Sequence, residues 1–497
     1  MRSAMARGAL SGLVVGSGLA LALALAFALT AASCAKHSHP PEGSDPSITP
    51  GIGGGGGGQD AALDGARLDG GGTGDGGALA CGLAPTILAG FTPTRIVFVA
   101  PDGSDGNDGL TRATAWRSLV NASKLAPGDR VDVFAGTYPC AAVIGVHGDP
   151  AHPVWIRSAD GPRKAKLECG GATYGIEIAH GHYIAIDGLD MSSSQQDLIR
   201  IDSGDAPYAD PSDHILIVNS HLHDSGTSAI RATQATNVDI IGNEVHRPEA
   251  FGPQLNGEAI DLVAVAGARV LFNRVYDVLS NTAISARGGA FSTLVAGNVI
   301  SNVQDAIHLG GVTDRGLFLP VDATAEATAA LAHSNVVFGA TSVALSALGC
   351  QGCVFANNSV ATTAAQEGVR ALPGATGKSA AAATSHTSGL VLVNNVFAFS
   401  AKTPTNLLQM AVDDAAGFIQ SHNLFFLSGG TVGSIVSDAP VGGAGTISDR
   451  DPLFTNASAG DLSIAAGSPA RLAGVPVSGV TFDATGACRI SWNIGAL

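Results

Sequence analysis

The chain has 497 residues and sets 26 Lys and Arg against 41 Asp and Glu, a formal charge of −15 at pH 7. Such an acidic balance argues against nucleic acid as a partner, and an anionic glycan would need cations to bridge it. Only 5% of residues are aromatic and 13% charged while 66 are Gly, which excludes a helical bundle and suits many short strands joined by tight turns.

Residues 1–34 read as an export signal. Arg2 and Arg7 precede the apolar run from Leu10 to Leu29, and Ala31-Ala32-Ser33-Cys34 supplies small residues at a cleavage point. The last four resemble a bacterial lipobox, with Ala31 where Leu is usual, which implies lipidation of Cys34; ordinary secretion is the alternative. The expected location is the outer membrane or cell surface, or the medium, with any membrane contact made through the lipid alone. Residues 35–80, including Gly53 to Gly58, lack periodicity and read as a disordered tether in which His37 and His39 are solvated.

Residues 81–150 are expected to form an N-terminal cap and first strands. Ile96 to Ala100 alternates like a strand, and Ala115 to Ala126 reads as a short amphipathic helix closing the open end of a core. Between them, Asp102, Asp105, Asn107 and Asp108 offer hard oxygens that suit calcium, although tight turns prefer the same residues.

Residues 151–440 repeat. One phrase returns as Ala229-Ile230-Arg231-Ala232, Ala259-Ile260-Asp261-Leu262, Ala283-Ile284-Ser285-Ala286 and Ala306-Ile307-His308-Leu309. An asparagine among aliphatics precedes each, at Asn219, Asn243, Asn273 and Asn298, and Asp187 takes that place one copy earlier. The period of roughly 25 residues is that of a solenoid turn, and the alternation is that of strands. The prediction is an all-β, right-handed parallel β-helix, a single-stranded solenoid of about ten rungs, with an asparagine ladder at one turn.

Seven cysteines accompany this pattern, six if Cys34 is lipidated. Cys140 and Cys169 lie about one rung apart, and Cys350 and Cys353 are spaced to close a small loop. Residues 441–497 carry Asp451-Pro452-Leu453-Phe454, Gly467-Ser468-Pro469-Ala470 and Trp492-Asn493-Ile494-Gly495-Ala496, which resemble the exit segment of bacterial β-helix surface proteins. Those motifs, with Pro101 to Gly109, Pro127 to Val131, Ala135 to Tyr138 and His152 to Ser158, resemble the secreted β-helix proteins of the pectate lyase and chondroitinase B superfamily. The resemblance implies architecture more than activity.

Chemistry is expected on the outward side of the repeated phrase. The residue after each inward aliphatic forms the column Glu177, Arg200, Arg231, Asp261, Ser285, His308, Ser346 and Arg370; two residues further on runs Asp202, Thr233, Val263, Arg287 and Gly310. Long inserts at Ser203 to Asp213, Arg247 to Gly257 and Gly311 to Leu331 are placed to wall a groove beside them.

In the lyases this chain resembles, a base takes the proton beside a uronate carboxylate while calcium or a cationic side chain neutralises that carboxylate. The resemblance implies Asp261, Arg287, His308 and Glu258 as catalytic residues, Arg200 and Arg231 as substrate-binding, and Asp202 and Asp261, joined by Glu258 in one arrangement, as calcium ligands. One departure is that no Lys lies between Lys166 and Lys378, where several members use a Lys base. Glu258 and Asp261 as a glycosidase acid and base form a second reading, and a non-catalytic carbohydrate-binding or adhesive protein a third. The plainest account is a ladder of exposed ion pairs, Arg231 over Asp261 and Glu177 over Arg200. His223 and His246 share a position on successive rungs and read as a stacked pair. The expected partner is extracellular polysaccharide, met by a monomer.

Overall fold

Inward aliphatics alternating with outward polar residues let each strand bury one side while its backbone pairs with the rungs on either side. The computed structural model describes residues 81, 83–140, 142–203, 210–250, 257–362, 367–372, 374–375, 384–400 and 405–497. The signal segment with Cys34 and the tether lie outside the described residues.

The chain coils as a right-handed parallel β-helix. One flank is a 12-stranded sheet running from Arg95–Val99 to Ile419–Ser421. The other two flanks belong to one 19-stranded sheet. They fuse at a corner where Arg274–Arg287, Val299–Gly310 and Val336–Leu348 run on without a break. Tyr276, near the start of the first of these, faces His246 on one flank; Ser285, near its end, faces Asp261 on the next. Inside, Ile230, Ile260, Ile284, Ile307, Leu345 and Val369 stack in register and are buried. Each such side chain contributes about 1.5–3 kcal/mol.

Among the described residues, seven asparagines line one turn. Asn243, Asn273, Asn298, Asn335, Asn358, Asn395 and Asn423 form a ladder in which each Nδ2 donates to the next Oδ1 at 2.9 to 3.1 Å. Each Oδ1 also accepts the backbone N–H of the preceding ladder residue, as Asn298 N does to Asn335 Oδ1 at 3.0 Å. The sequence register is corrected at the start. Ser220, whose N–H donates to Asn243, holds the ladder position, whereas Asn219 sits one residue earlier with φ 54° and Asp187 pairs with Val218. Asn219 belongs to a left-handed column with Gly188, Gly242, Gly297, Asn357 and Asn394. Asn tolerates both positions, so the two columns look alike in sequence.

The cap carries the short helix the sequence predicts, confined to the six-residue 3-10 helix Leu119–Lys124 within Ala115 to Ala126, capped by Ser118 and burying Leu119 and Ala122. Asp105 fixes its start, accepting from the N–H groups of Arg117 and Ser118 at 3.0 and 2.8 Å, and Pro127 lies three residues beyond its end. The oxygens proposed for calcium in this loop serve the turn, since Asp108 accepts from Leu110 N and Asp102 pairs with Arg112.

Disulfides join Cys140 to Cys169 and Cys350 to Cys353 as the spacing suggests, and a third joins Cys81 to Cys488. The exit segment runs back along the 12-stranded flank. Phe482 packs on Phe272 and His333, and Asn394 donates to Val475 O at 2.7 Å.

Candidate functional site

The column read from the sequence is the column the strands build. Pairing sets Glu177, Arg200, Arg231, Asp261, Ser285, His308, Ser346 and Arg370 side by side along one face, and Thr233, Val263 and Arg287 beside them. Adjacent rungs of a parallel sheet lie about 4.8 Å apart, so charges in such a column must be matched or neutralised.

Asp261 is fully buried at the centre. Its Oδ1 accepts from Ser285 Oγ at 2.9 Å and Arg287 Nε at 3.1 Å; its Oδ2 accepts from the Arg287 terminal nitrogen at 2.9 Å and pairs with Arg231 at 3.4 Å. Burial pushes its carboxyl up, but Arg287 and Arg231 outweigh that and hold it below the usual range. Two guanidiniums thus share one carboxylate.

Glu258 stands at the edge of the same cluster, with Oε1 3.6 Å from Arg287 and Oε2 buried without a hydrogen-bond partner. Burial first, then the charge of Asp261, push its carboxyl up to about 8 despite both arginines. The shift favours the protonated form of Glu258, which would make it a proton donor beside two cations. Since its folded pKa lies above the unfolded value of 4.5, no stability is lost below about pH 4.5, and stability falls as pH rises through about 8. Melting temperature is expected to drop between about pH 4.5 and 8 in the native protein and to drop less in Glu258→Gln. Parallel melting curves for the two across that range would remove Glu258 as the source.

His308 lies two rungs from Asp261 with Ser285 between them. Its Nε2 is 3.1 Å from Asp305 Oδ2 and its Nδ1 3.2 Å from Thr282 Oγ1. Nε2 is buried and makes no aligned hydrogen bond, but the charge of Asp305 beside it favours the proton there, which leaves Nδ1 as the lone-pair nitrogen. The Gly311 to Leu331 insert walls the far side: Glu326 accepts from Gly288 N at 2.8 Å and from Thr313 Oγ1 at 2.7 Å, and Leu317 O accepts from Gln234 Nε2 at 3.3 Å. Much of the other two inserts lies outside the described residues.

Arg200 is placed differently from its sequence reading. It pairs with Asp197 and Asp202, each at 3.3 Å, and lies over the Tyr174 ring, rather than forming a ladder with Glu177. Asp197 stands at the bend before the strand and Asp202 two residues along it, so both reach the guanidinium locally. Asp202 sits two rungs from Asp261, roughly 10 Å of stacking. The oxygens of Asp261 face cations and a hydroxyl, and Asp202 holds Arg200. These residues do not fit a shared calcium ion, and no step is routed through one.

A second constellation lies around the corner, on Asp190–Ser192, His221–His223 and Glu244–His246. The sequence showed His223 under His246, and their rings do stack at 5.2 Å. It did not show that Asp190 and His221 converge there. Among the described residues, Asp190 with His221 and His223, and His221 with Glu244 and His246, group closely enough to hold a metal ion; His147, His182 and Asp210 form a third group. A cavity of about 500 Å³ lined by Phe338, Phe399, Phe426 and Phe454 lies apart from both constellations.

No protein-family model matches the chain, and no curated protein does either. Among solved structures it is similar to pectate lyase Pel9A, at 14% identity over 82% of this chain and 97% of that one, with a TM-score of 0.49. The complex of XylC with xylose gives 10% identity over 81% and 98%, TM-score 0.43, and an alginate lyase of the PL6 family 12% over 70% and 50%, TM-score 0.40. At these values none of them says what this chain acts on.

Proposed function

We propose that this face binds a uronate-containing polysaccharide and cleaves it by β-elimination. The observation that carries the proposal is the Arg231–Arg287 pair on one buried carboxylate, with Arg231 Nε and Glu258 Oε2 left without hydrogen-bond partners. In a chain of net charge −15, two guanidiniums that share one carboxylate keep a surplus positive charge, and that surplus with the unspent Arg231 Nε suits a carboxylate ligand.

Arg231 and Arg287 neutralise the uronate carboxylate and make the adjacent C5 proton more acidic. His308 Nδ1, released from Thr282, takes that proton. The C5–H electron pair forms the C4=C5 double bond as the C4–O bond breaks, and neutral Glu258 protonates the departing oxygen. Asp305 orients the base and Asp261 the clamp. The hydrolase reading is weaker because Asp261, the ionised member of the carboxylate pair, is fully buried and saturated by its neighbours.

Export fits this reading. The signal-like first 34 residues and three disulfides support action outside the cytoplasm, with Cys34 carrying a lipid.

The test follows unsaturated uronate absorbance over a panel of acidic polysaccharides, with calcium and with chelator. Native protein is expected to generate product, and His308→Ala to lose about 10²–10⁴ of the rate with an unchanged melting temperature. Product formed at the native rate by His308→Ala would remove the assigned base. No unsaturated product and no reducing ends on any glycan would leave a carbohydrate-binding or adhesive protein.

A further inference from the structure

We propose that Asp190, His221 and His223 form a site for one divalent ion of the zinc class, stapling two successive rungs away from the arginine clamp. Asp190 Oδ1 lies 3.1 Å from His221 Nδ1 and 3.2 Å from His223 Nε2. Ligand atoms about 2.0–2.1 Å from a tetrahedral zinc are separated by about 3.3 Å, so the two edges from Asp190 already match such an ion, and all three atoms lie within 4.8 Å of one another. The backbone explains the approach. His221 and His223 are two residues apart on one strand and project to the same side, and Asp190 occupies the position directly paired with His221 on the preceding rung.

The outer contacts account for each proton. His223 Nδ1 lies 2.7 Å from Asp224 Oδ2, and Asp224 is held by Arg247 at 2.7 Å through each of its oxygens. With an ion bound, His223 would keep one proton on the nitrogen facing Asp224 and turn a lone pair toward the metal beside Asp190. His221 Nε2 lies 2.9 Å from His246 Nε2, and in the tautomer in which His221 donates there its Nδ1 lone pair turns inward. Without an ion these nitrogens can carry protons and donate to Asp190, so a bound cation takes the place of those protons. A carboxylate that orients a ligating imidazole is the usual support of such a site.

Two imidazoles and one carboxylate favour zinc, cobalt or nickel over calcium, which prefers oxygen donors. Three protein ligands leave a fourth position for water. The third group is looser, His147 standing 3.6 Å from Asp210 with both side chains about half exposed, and it serves as the control.

The experiment titrates Zn²⁺, and Co²⁺ for its absorption spectrum, into the full chain after chelation and dialysis. One equivalent is expected to bind, and His221→Ala, His223→Ala and Asp190→Asn are each expected to weaken binding by about 100-fold or more. Asp224→Asn is expected to weaken it about 10- to 100-fold, and His147→Ala to leave it unchanged. Absence of saturable Zn²⁺ binding, or binding that survives His221→Ala and His223→Ala, would overturn the site. Zinc-edge X-ray absorption on the unaltered protein provides a measurement independent of how the variants fold. Two imidazoles with oxygen donors support the assignment, and a shell without imidazole overturns it.

Discussion

Asn335→Ala is expected to destabilise the protein by about 3–5 kcal/mol. Asn335 Oδ1 accepts from Asn298 N at 3.0 Å and Asn298 Nδ2 at 2.9 Å, while its own Nδ2 donates to Val295 O and Asn358 Oδ1, both at 2.9 Å. All of these groups are buried, and each buried donor left without an acceptor costs about 1–3 kcal/mol. The measurement is urea unfolding, read as a lower midpoint at an unchanged slope. Asn219→Ala, which removes one partly buried bond to Asp187 and a left-handed asparagine, is the comparison and is expected to cost about 1–2 kcal/mol. Equal costs at the two positions would show that the ladder does not hold the turn.

Asp261→Ala is expected to cost about 3–5 kcal/mol as well, and to abolish turnover. Removing the carboxylate leaves Arg231 and Arg287 close together without the charge that holds them, and uncompensated buried charge is the most costly outcome for an ion pair. The loss of activity follows because the two guanidiniums no longer present a fixed pair to substrate. Thermal unfolding and product formation measured on the same sample separate the two effects. Turnover lost with no change in stability would place Asp261 in contact with substrate rather than behind the clamp.

The outward column was legible from the sequence residue by residue, because a short phrase repeated without internal gaps fixes strand register. What the phrase does not carry is how a side chain reaches sideways. Arg200 turns to Asp197 and Asp202 on its own rung, a choice made by bend geometry rather than by the period. The convergence of Asp190 with His221 was hidden by the insert between them, which stretches that rung to 31 residues and spoils the alignment. Saturation of Asp261 depends on which rotamers two arginines share, and spacing alone is silent on that. The Cys81–Cys488 disulfide, at a sequence separation of 407, lies beyond any local pattern.

The returning exit segment changes what kind of object the coil is. Stacked repeats that touch only their neighbours melt from their ends, one unit at a time, and their stabilities add. Here Phe482 leans on Phe272 and His333, Asn357 donates to Asn493 O at 2.9 Å, and Cys488 is bonded to Cys81. A rung in the middle cannot open while that strap remains in place, and the first residues of the coil cannot peel away without pulling on the last. The strap ties distant rungs together, so a single cooperative unfolding transition is expected in place of a series of small ones, checked by coincident transitions from different probes.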